Sequence, residues 1–277
     1  MNRIKIFVAS HKPDKVYQDD VYTPIHVGRA VSKFKNEMTG MIGDDSGDNI
    51  SEKNPSYCEL TATYWAWKNE KNADYVGLAH YRRYFETKLT NENVEDVMQG
   101  YDVMLVKPYL NDIYMRNKLR TVLTMEDETI LMLVLKKLYP EYETTFIDYV
   151  YGFQDIPCNM FVMRRNIFEK YCDFLFSILF ECEKYMRPLP YTNSMRRMGF
   201  IGEFLTPIFC LNNNLKIKFE PIVSMVGEKA VYGSDFKQKM KIKLLRKMYE
   251  KHKPHSISDM IDHAIVTGMK NDGIVVE

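Results

Sequence analysis

One short stretch gathers the side chains that handle phosphate. Residues 74–85 read D-Y-V-G-L-A-H-Y-R-R-Y-F: an apolar run at 75–79 stops abruptly at His80, Arg82 and Arg83, with Tyr81 and Tyr84 between them. A run of that length between turn signals reads as a buried strand, and open α/β sheets meet their ligands at the carboxyl ends of such strands. Two adjacent guanidiniums beside an imidazole suit a phosphorylated ligand. The planar donor fork of Arg matches phosphate oxygens and stays charged at any relevant pH. The same arginines also fit a surface turn in which they pair with carboxylates from elsewhere.

Further stretches carry chemistry. Residues 196–205, R-R-M-G-F-I-G-E-F-L, bring two arginines, two glycines and the carboxylate of Glu203 together. Glu203 is expected to lead an apolar segment to 211. A carboxylate at a helix start is usually a dipole or capping residue, but glycines on its flank let backbone approach a ligand, which makes Glu203 a candidate general base. The strand expected at 4–9 runs straight into Ser10, His11, Lys12 and Pro13, where the first strand of an α/β sheet meets a ligand. His11 suits either a nucleotide contact or a satisfied position at the rim. The polar loop 41–54 holds Asp44, Asp45 and Asp48. Their spacing departs from the calcium-loop pattern, so the loop reads as solvated or substrate-facing.

The elements that must position these groups alternate between strands and helices. A capping box of Ser56 and Glu59, with Pro55 beside it, predicts a helix running to about 68, with Trp65 and Trp67 packing against the sheet. A short helix is expected at 91–99, a buried strand at 102–106, and an irregular basic segment at 109–124. Thr124 caps a helix reaching 138, with Asp127 and Glu128 at its positive end, and a shorter helix follows Pro140. A strand at 160–163 enters the longest helix, to about 186, whose apolar stripe includes Cys172 and Cys182. Closing strands are expected at 216–219 and 222–225. Residues 237–253 are strongly basic with an apolar face, which fits an anionic bilayer surface or a solvated helix packed on the domain.

A net charge of +1 argues against a nucleic-acid partner. Five scattered cysteines without a C-x-x-C pair read as reduced residues of a cytoplasmic protein. The amino-terminal apolar run is too short for a signal peptide, and no run is long enough to span a membrane.

Residues 22–28 (Y-T-P-I-H-V-G), 48–69 (D-N-I-S-E-K-N-P-S-Y-C-E-L-T-A-T-Y-W-A-W-K-N) and 77–85 (G-L-A-H-Y-R-R-Y-F), with 159–163 and 199–205, carry a resemblance. Over roughly 1–230 the chain resembles a bacterial family of glycosyltransferase-like proteins from capsule, exopolysaccharide and O-antigen gene clusters. The resemblance implies an α/β fold of the GT-A-like, Rossmann-like kind: a mixed sheet flanked by helices at 1–233, followed by a basic helical extension at 234–277. It implies transfer of a sugar, galactofuranose in some members, from a UDP-sugar to a lipid-linked or growing saccharide acceptor, and the basic stretch is expected to bring the protein to the inner face of the plasma membrane. Where GT-A enzymes usually carry Asp-x-Asp for a divalent cation, this chain has His80-Tyr81-Arg82, which is poorly equipped for Mg²⁺ or Mn²⁺; fixed cationic charge is expected to take the cation's place. On this reading Ser10, His11 and Asp48 hold the nucleotide, and His80, Arg82 and Arg83 hold the diphosphate. Glu203 is the base of an inverting transfer. Asp45 and Asp155 are its alternates, and with Arg197 they are candidates for contacting the acceptor. A scaffold that binds without catalysis, or a transferase of pyruvyl or phosphoryl groups, are the competing functions.

Overall fold

The computed structural model describes residues 3–225, 240, 243–247 and 253–276. Eleven strands are described: β1 (Ile4–Ser10), β2 (Tyr22–His26), β3 (Ile42–Gly43), β4 (Tyr75–His80), β5 (Arg83–Phe85), β6 (Val103–Val106), β7 (Tyr109–Leu110), β8 (Gln154–Asp155), β9 (Phe161–Arg164), β10 (Ile217–Glu220) and β11 (Ile222–Ser224). Nine form one mixed sheet with the path β10-β6-β9-β4-β1-β2-β3, β5 pairing with β4 and β11 with β5. Strands β1 to β4 run parallel, while β9 is antiparallel to both β4 and β6. This is the expected mixed α/β, GT-A-like sheet.

Period-two alternation decides which face each strand residue enters. In β1, Ile4, Ile6 and Val8 join one apolar cluster; Phe7 and Ala9 join the other. In β4, Tyr75 and Ala79 face the first cluster, and Val76 and Leu78 the second. The second cluster is the larger and is closed by helices α1 (Asn54–Tyr57), α2 (Leu60–Asn69), α5 (Met125–Leu138), α6 (Glu143–Val150), α7 (Arg165–Tyr185) and α9 (Arg197–Asn212). Of the expected stripe on α7, Phe168, Tyr171, Cys172, Leu175, Ile178, Leu179 and Cys182 are fully buried there, and Ile167 is partly buried against the same cluster. Trp67 stacks on Phe176 at 5.7 Å, and Trp65 meets Phe7 edge-on at 5.6 Å.

Several local expectations change. The helix read from 55 to 68 is broken at Cys58, whose φ of 50° interrupts it between α1 and α2. No Ser56–Glu59 capping box forms; the cap position of α1 is Lys53, without a side-chain cap bond. The helix expected at 91–99 shrinks to α3 (Val94–Val97), and the segment read as irregular contains β7, which pairs with β8, and α4 (Met115–Leu119). A short helix α8 (Thr192–Met195) precedes α9, so Glu203 lies inside α9 and not at its start. Thr124 does cap α5, accepting from the Asp127 amide at 3.0 Å.

The expected boundary at 233 falls outside the described residues. So does most of the basic stretch 237–253, of which only 240, 243–247 and 253 are described. Beyond it the chain returns to the helical layer. Ile257, Met260 and Met269 are buried in the same cluster as α5 and α7. Arg116 Nη2 donates to the Met260 carbonyl at 3.0 Å, and the Ile257 amide donates to Glu143 at 2.5 Å.

Candidate functional site

The parallel strands end together, and that edge is where the charged groups converge. Register pairs Ala9 of β1 with His80 of β4, and the Tyr81 amide donates to the Ala9 carbonyl at 3.1 Å. The chain then reverses so sharply that His80 pairs directly with Arg83 of β5. Because β9 is antiparallel to β4, with Leu78 opposite Phe161, the residues just before β9 lie against the same strand end. These are Cys158 and Asn159. The break between α1 and α2 supplies Glu59, and α9 supplies Glu203. A cavity of about 560 Å³ results, lined by His11, Cys58, Glu59, His80, Tyr81, Arg82, Arg83, Cys158, Arg196 and Glu203 among others.

The glycines of α9 make this closeness possible, though not by opening backbone to a ligand. A Cβ on Gly202 would stand 2.7 Å from the Leu60 side chain, and one on Gly199 would stand 3.0 Å from Cys58 Sγ. They let α9 seat against the α1–α2 break, and that contact fixes where Glu203 sits. Pro207, four residues on, cannot donate to the Glu203 carbonyl, so the helix is weakened at the residue facing the cavity.

Electrostatics distinguish the cavity's groups. Burial, then the charge of Glu59, pushes the Glu203 carboxyl up to about 7, with Asp155 adding to the rise and Lys118 and Arg196 opposing it. Burial lowers both imidazoles: that of His80, with Glu59 partly offsetting, and that of His11, with Lys12, Arg196 and Arg82 reinforcing. They therefore offer hydrogen-bonding nitrogen more than charge, and the positive charge rests on Arg82, Arg83 and Arg196. Burial lifts the Cys58 thiol to about 11 and that of Cys158 to about 12, so neither is a ready nucleophile. Arg82 does pair with a carboxylate from elsewhere, donating through Nε and Nη2 to Asp14 at 3.0 and 2.9 Å. That pair is at the rim and solvent-reached, the kind that exchanges readily for a better anion.

Thus His11, His80, Arg82, Arg83 and Glu203 share the cavity, and the other candidates lie elsewhere. Ser10 is fully buried and donates to the Lys12 carbonyl at 2.9 Å. Asp48 accepts from the Tyr64 hydroxyl at 3.1 Å, which ties its loop to α2. Asp45 pairs with Arg29 and Lys35. Asp155 pairs with Lys118 at 2.5 Å and reaches Glu203 only through its field. Arg197 is buried against Asp127 at 3.2 Å, a link between α9 and α5 that faces away from the cavity.

Sequence reasoning assigned Glu59 to a cap and named Arg197 as a candidate, whereas the structure puts Glu59 and Arg196 at the cavity and Arg197 against Asp127. The seven-residue spacing from Arg196 to Glu203 is a signal that was present: two helical turns place both on one face, and 197 falls about 100° away. Nothing marked Glu59, because cysteine is an unusual residue for the positive φ that breaks the helix there.

Among the described residues no group of three or more His, Cys, Asp or Glu side chains gathers to hold a metal ion; the strand end presents imidazole and guanidinium, and the cavity's carboxylates are Glu59 and Glu203.

A family model described as "Domain of unknown function (DUF4422)" matches residues 5–214. The apo structure of WbbM, a bifunctional glycosyltransferase, is similar, with a TM-score of 0.70 and 32% identity over 84% of this chain. The chain spans 48% of the WbbM chain, about half its length. No curated protein matches.

Proposed function

The chain belongs to the DUF4422 family, and we propose that it is a glycosyltransferase moving a sugar from a UDP-sugar to a saccharide acceptor in surface-polysaccharide synthesis. The observation that carries this reading is the meeting, in one cavity, of Arg82, Arg83 and Arg196 with a carboxyl held near 7. The similarity to WbbM supports the same class of reaction.

The guanidiniums hold the diphosphate and stabilise the charge that builds on it as it leaves. His11 and His80 add hydrogen bonds. Glu203, in its ionised form, takes the proton of the acceptor hydroxyl. The acceptor oxygen forms a bond to the anomeric carbon while the bond from that carbon to the phosphate oxygen breaks. The electron pair leaves with UDP, and configuration inverts. Fixed charge does the work of a divalent cation, so the transfer is metal-independent. Galactofuranose is the sugar suggested by the resemblance.

The acceptor is lipid-linked, and the basic stretch 237–253 brings the protein to the cytoplasmic membrane surface. In its described part, Met240 and Leu244 are exposed near Lys243, Arg246 and Lys247. No helix among the described residues is long and apolar enough to cross a membrane. Flotation with anionic vesicles, lost when the lysines are replaced by glutamine, tests the membrane part alone.

The central test is UDP release by purified protein from a panel of nucleotide sugars, with acceptor, in excess EDTA. Turnover undiminished by EDTA is expected. Loss of activity restored by Mn²⁺ would refute metal independence, and a protein whose melting temperature UDP does not raise would refute the transferase reading as a whole.

A further inference from the structure

Two cysteines hold the backbone in the left-handed region, Cys58 at φ 50° and Cys158 at φ 66°. Such conformations cost a non-glycine residue of order 1–3 kcal/mol and persist where the surroundings over-determine them. Both cysteines line the cavity, and the residue after each belongs to one pair. Glu59 follows the first and Asn159 the second, and Asn159 Nδ2 donates to Glu59 Oε1 at 2.7 Å. The same nitrogen donates to the Gly199 carbonyl at 3.1 Å. Both partners are acceptors, so the amide can be oriented only this way. The two strained turns and the α9 backbone thus aim one carboxylate at the cavity.

Glu59 is mostly covered, with 11% of its side chain exposed, and Oε1 lies 3.7 Å from His80 Nε2. Among the described residues the amide hydrogen-bonds Oε1 and the imidazole stands beyond hydrogen-bond reach of it, while Glu59 lines the cavity beside His80. On the transferase reading the diphosphate is held at this strand end, and the first atoms of the transferred sugar lie next to it. A carboxylate can only accept, so its partner must present hydroxyl donors and no negative charge. We propose that Glu59 is the residue that recognises the donor sugar, accepting hydrogen bonds from its hydroxyls and excluding uronate sugars by charge, with Asn159 as its positioning residue. This rests on the transferase reading above.

The experiment compares wild type with Glu59→Gln, which keeps shape and removes charge. UDP alone, a probe without sugar, should raise the melting temperature of both equally. With the preferred UDP-sugar, kcat/KM should fall roughly 10–100-fold in Glu59→Gln, the range expected for a charge-assisted hydrogen bond. Donor analogues lacking one hydroxyl at a time should include one that costs wild type a similar factor and costs the variant little. The variant should also narrow the preference against the matching UDP-uronate. Asn159→Ala should lower kcat/KM non-additively with Glu59→Gln while leaving the UDP shift unchanged, a coupling that mere loss of packing would not produce. Wild-type kcat/KM in Glu59→Gln, or equal losses with every deoxy analogue in both proteins, would overturn the assignment. Absence of any UDP shift in wild type would instead strike at the transferase reading itself.

Discussion

Arg196 and Arg197 are neighbours in the chain and opposites in use. Arg197 is buried between α9 and α5, where Asp127 meets it at 3.2 Å. Close by in the same helical layer, Arg116 and Arg120 grip the two oxygens of Glu128 at 2.6 and 2.8 Å. In this region charges are matched oxygen to nitrogen, and helices are held in register by them. Arg196 faces the cavity, where its Nε reaches only Cys58 Sγ at 3.3 Å. There two carboxylates feel each other's field, and among the described residues His80 Nε2 is buried without a hydrogen-bond partner. The two regions have similar residue types. What separates Arg197 from Arg196 is that the chain seats a carboxylate on the first and a thiol on the second.

The largest effect expected from this contrast falls on Glu203→Gln, which should lower turnover by at least about 100-fold while UDP still raises the melting temperature. Near-normal turnover would remove Glu203 from the mechanism. On the structural side, Arg197→Ala should cost about 3–5 kcal/mol in denaturant unfolding, since it strands Asp127 in a buried site. Loss of activity without loss of stability would invert the comparison.

Next comes pH. The folded Glu203 carboxyl sits near 7, above its ordinary value of 4.5. The stability linked to its protonated form is therefore fully present below about 4.5 and is lost as pH rises through 7, a loss on the order of 3 kcal/mol. Glu203→Gln should lack this loss and melt relatively higher at pH 8. Wild-type activity should rise with pH through 7 as the base ionises, which initial rates from pH 5.5 to 8.5 would show. The smallest effects belong to Asp45→Asn and Asp48→Asn, whose partners lie outside the cavity; less than a threefold change in kcat/KM is expected.

The strands were legible because β-branched and apolar runs mark them, and parallel register then carries strand ends to one edge without further information. That is why the end of β1 with His11 and the end of β4 with His80, Arg82 and Arg83 could each be read from sequence as ligand-facing, while the register that sets them side by side is seen in the structure. What escaped depends on helix phase and on backbone strain. Placing Glu203 at a helix start discarded the phase that would have selected Arg196 over Arg197. Glu59 looked like a cap because Ser56 stands three residues before it, and only a left-handed Cys58 turns it elsewhere. The carboxylates of the 41–54 loop drew notice by composition, yet Asp44 is fully buried, accepting from the Gly28 and Arg29 amides at 2.7 and 3.0 Å. It shapes a loop, a role that composition does not distinguish from binding.

The last strand before the basic stretch ends at the cavity: Ser224 pairs with Arg83, and the Met225 amide donates to the Arg82 carbonyl at 2.9 Å. The chain is anchored again at Lys253, which pairs with Asp148. The end of β11 and Lys253 are thus fixed to different parts of the fold, the first to the turn that carries Arg82 and Arg83 and the second to α6. A substitution that loosens β11 therefore disturbs the turn that carries the two arginines.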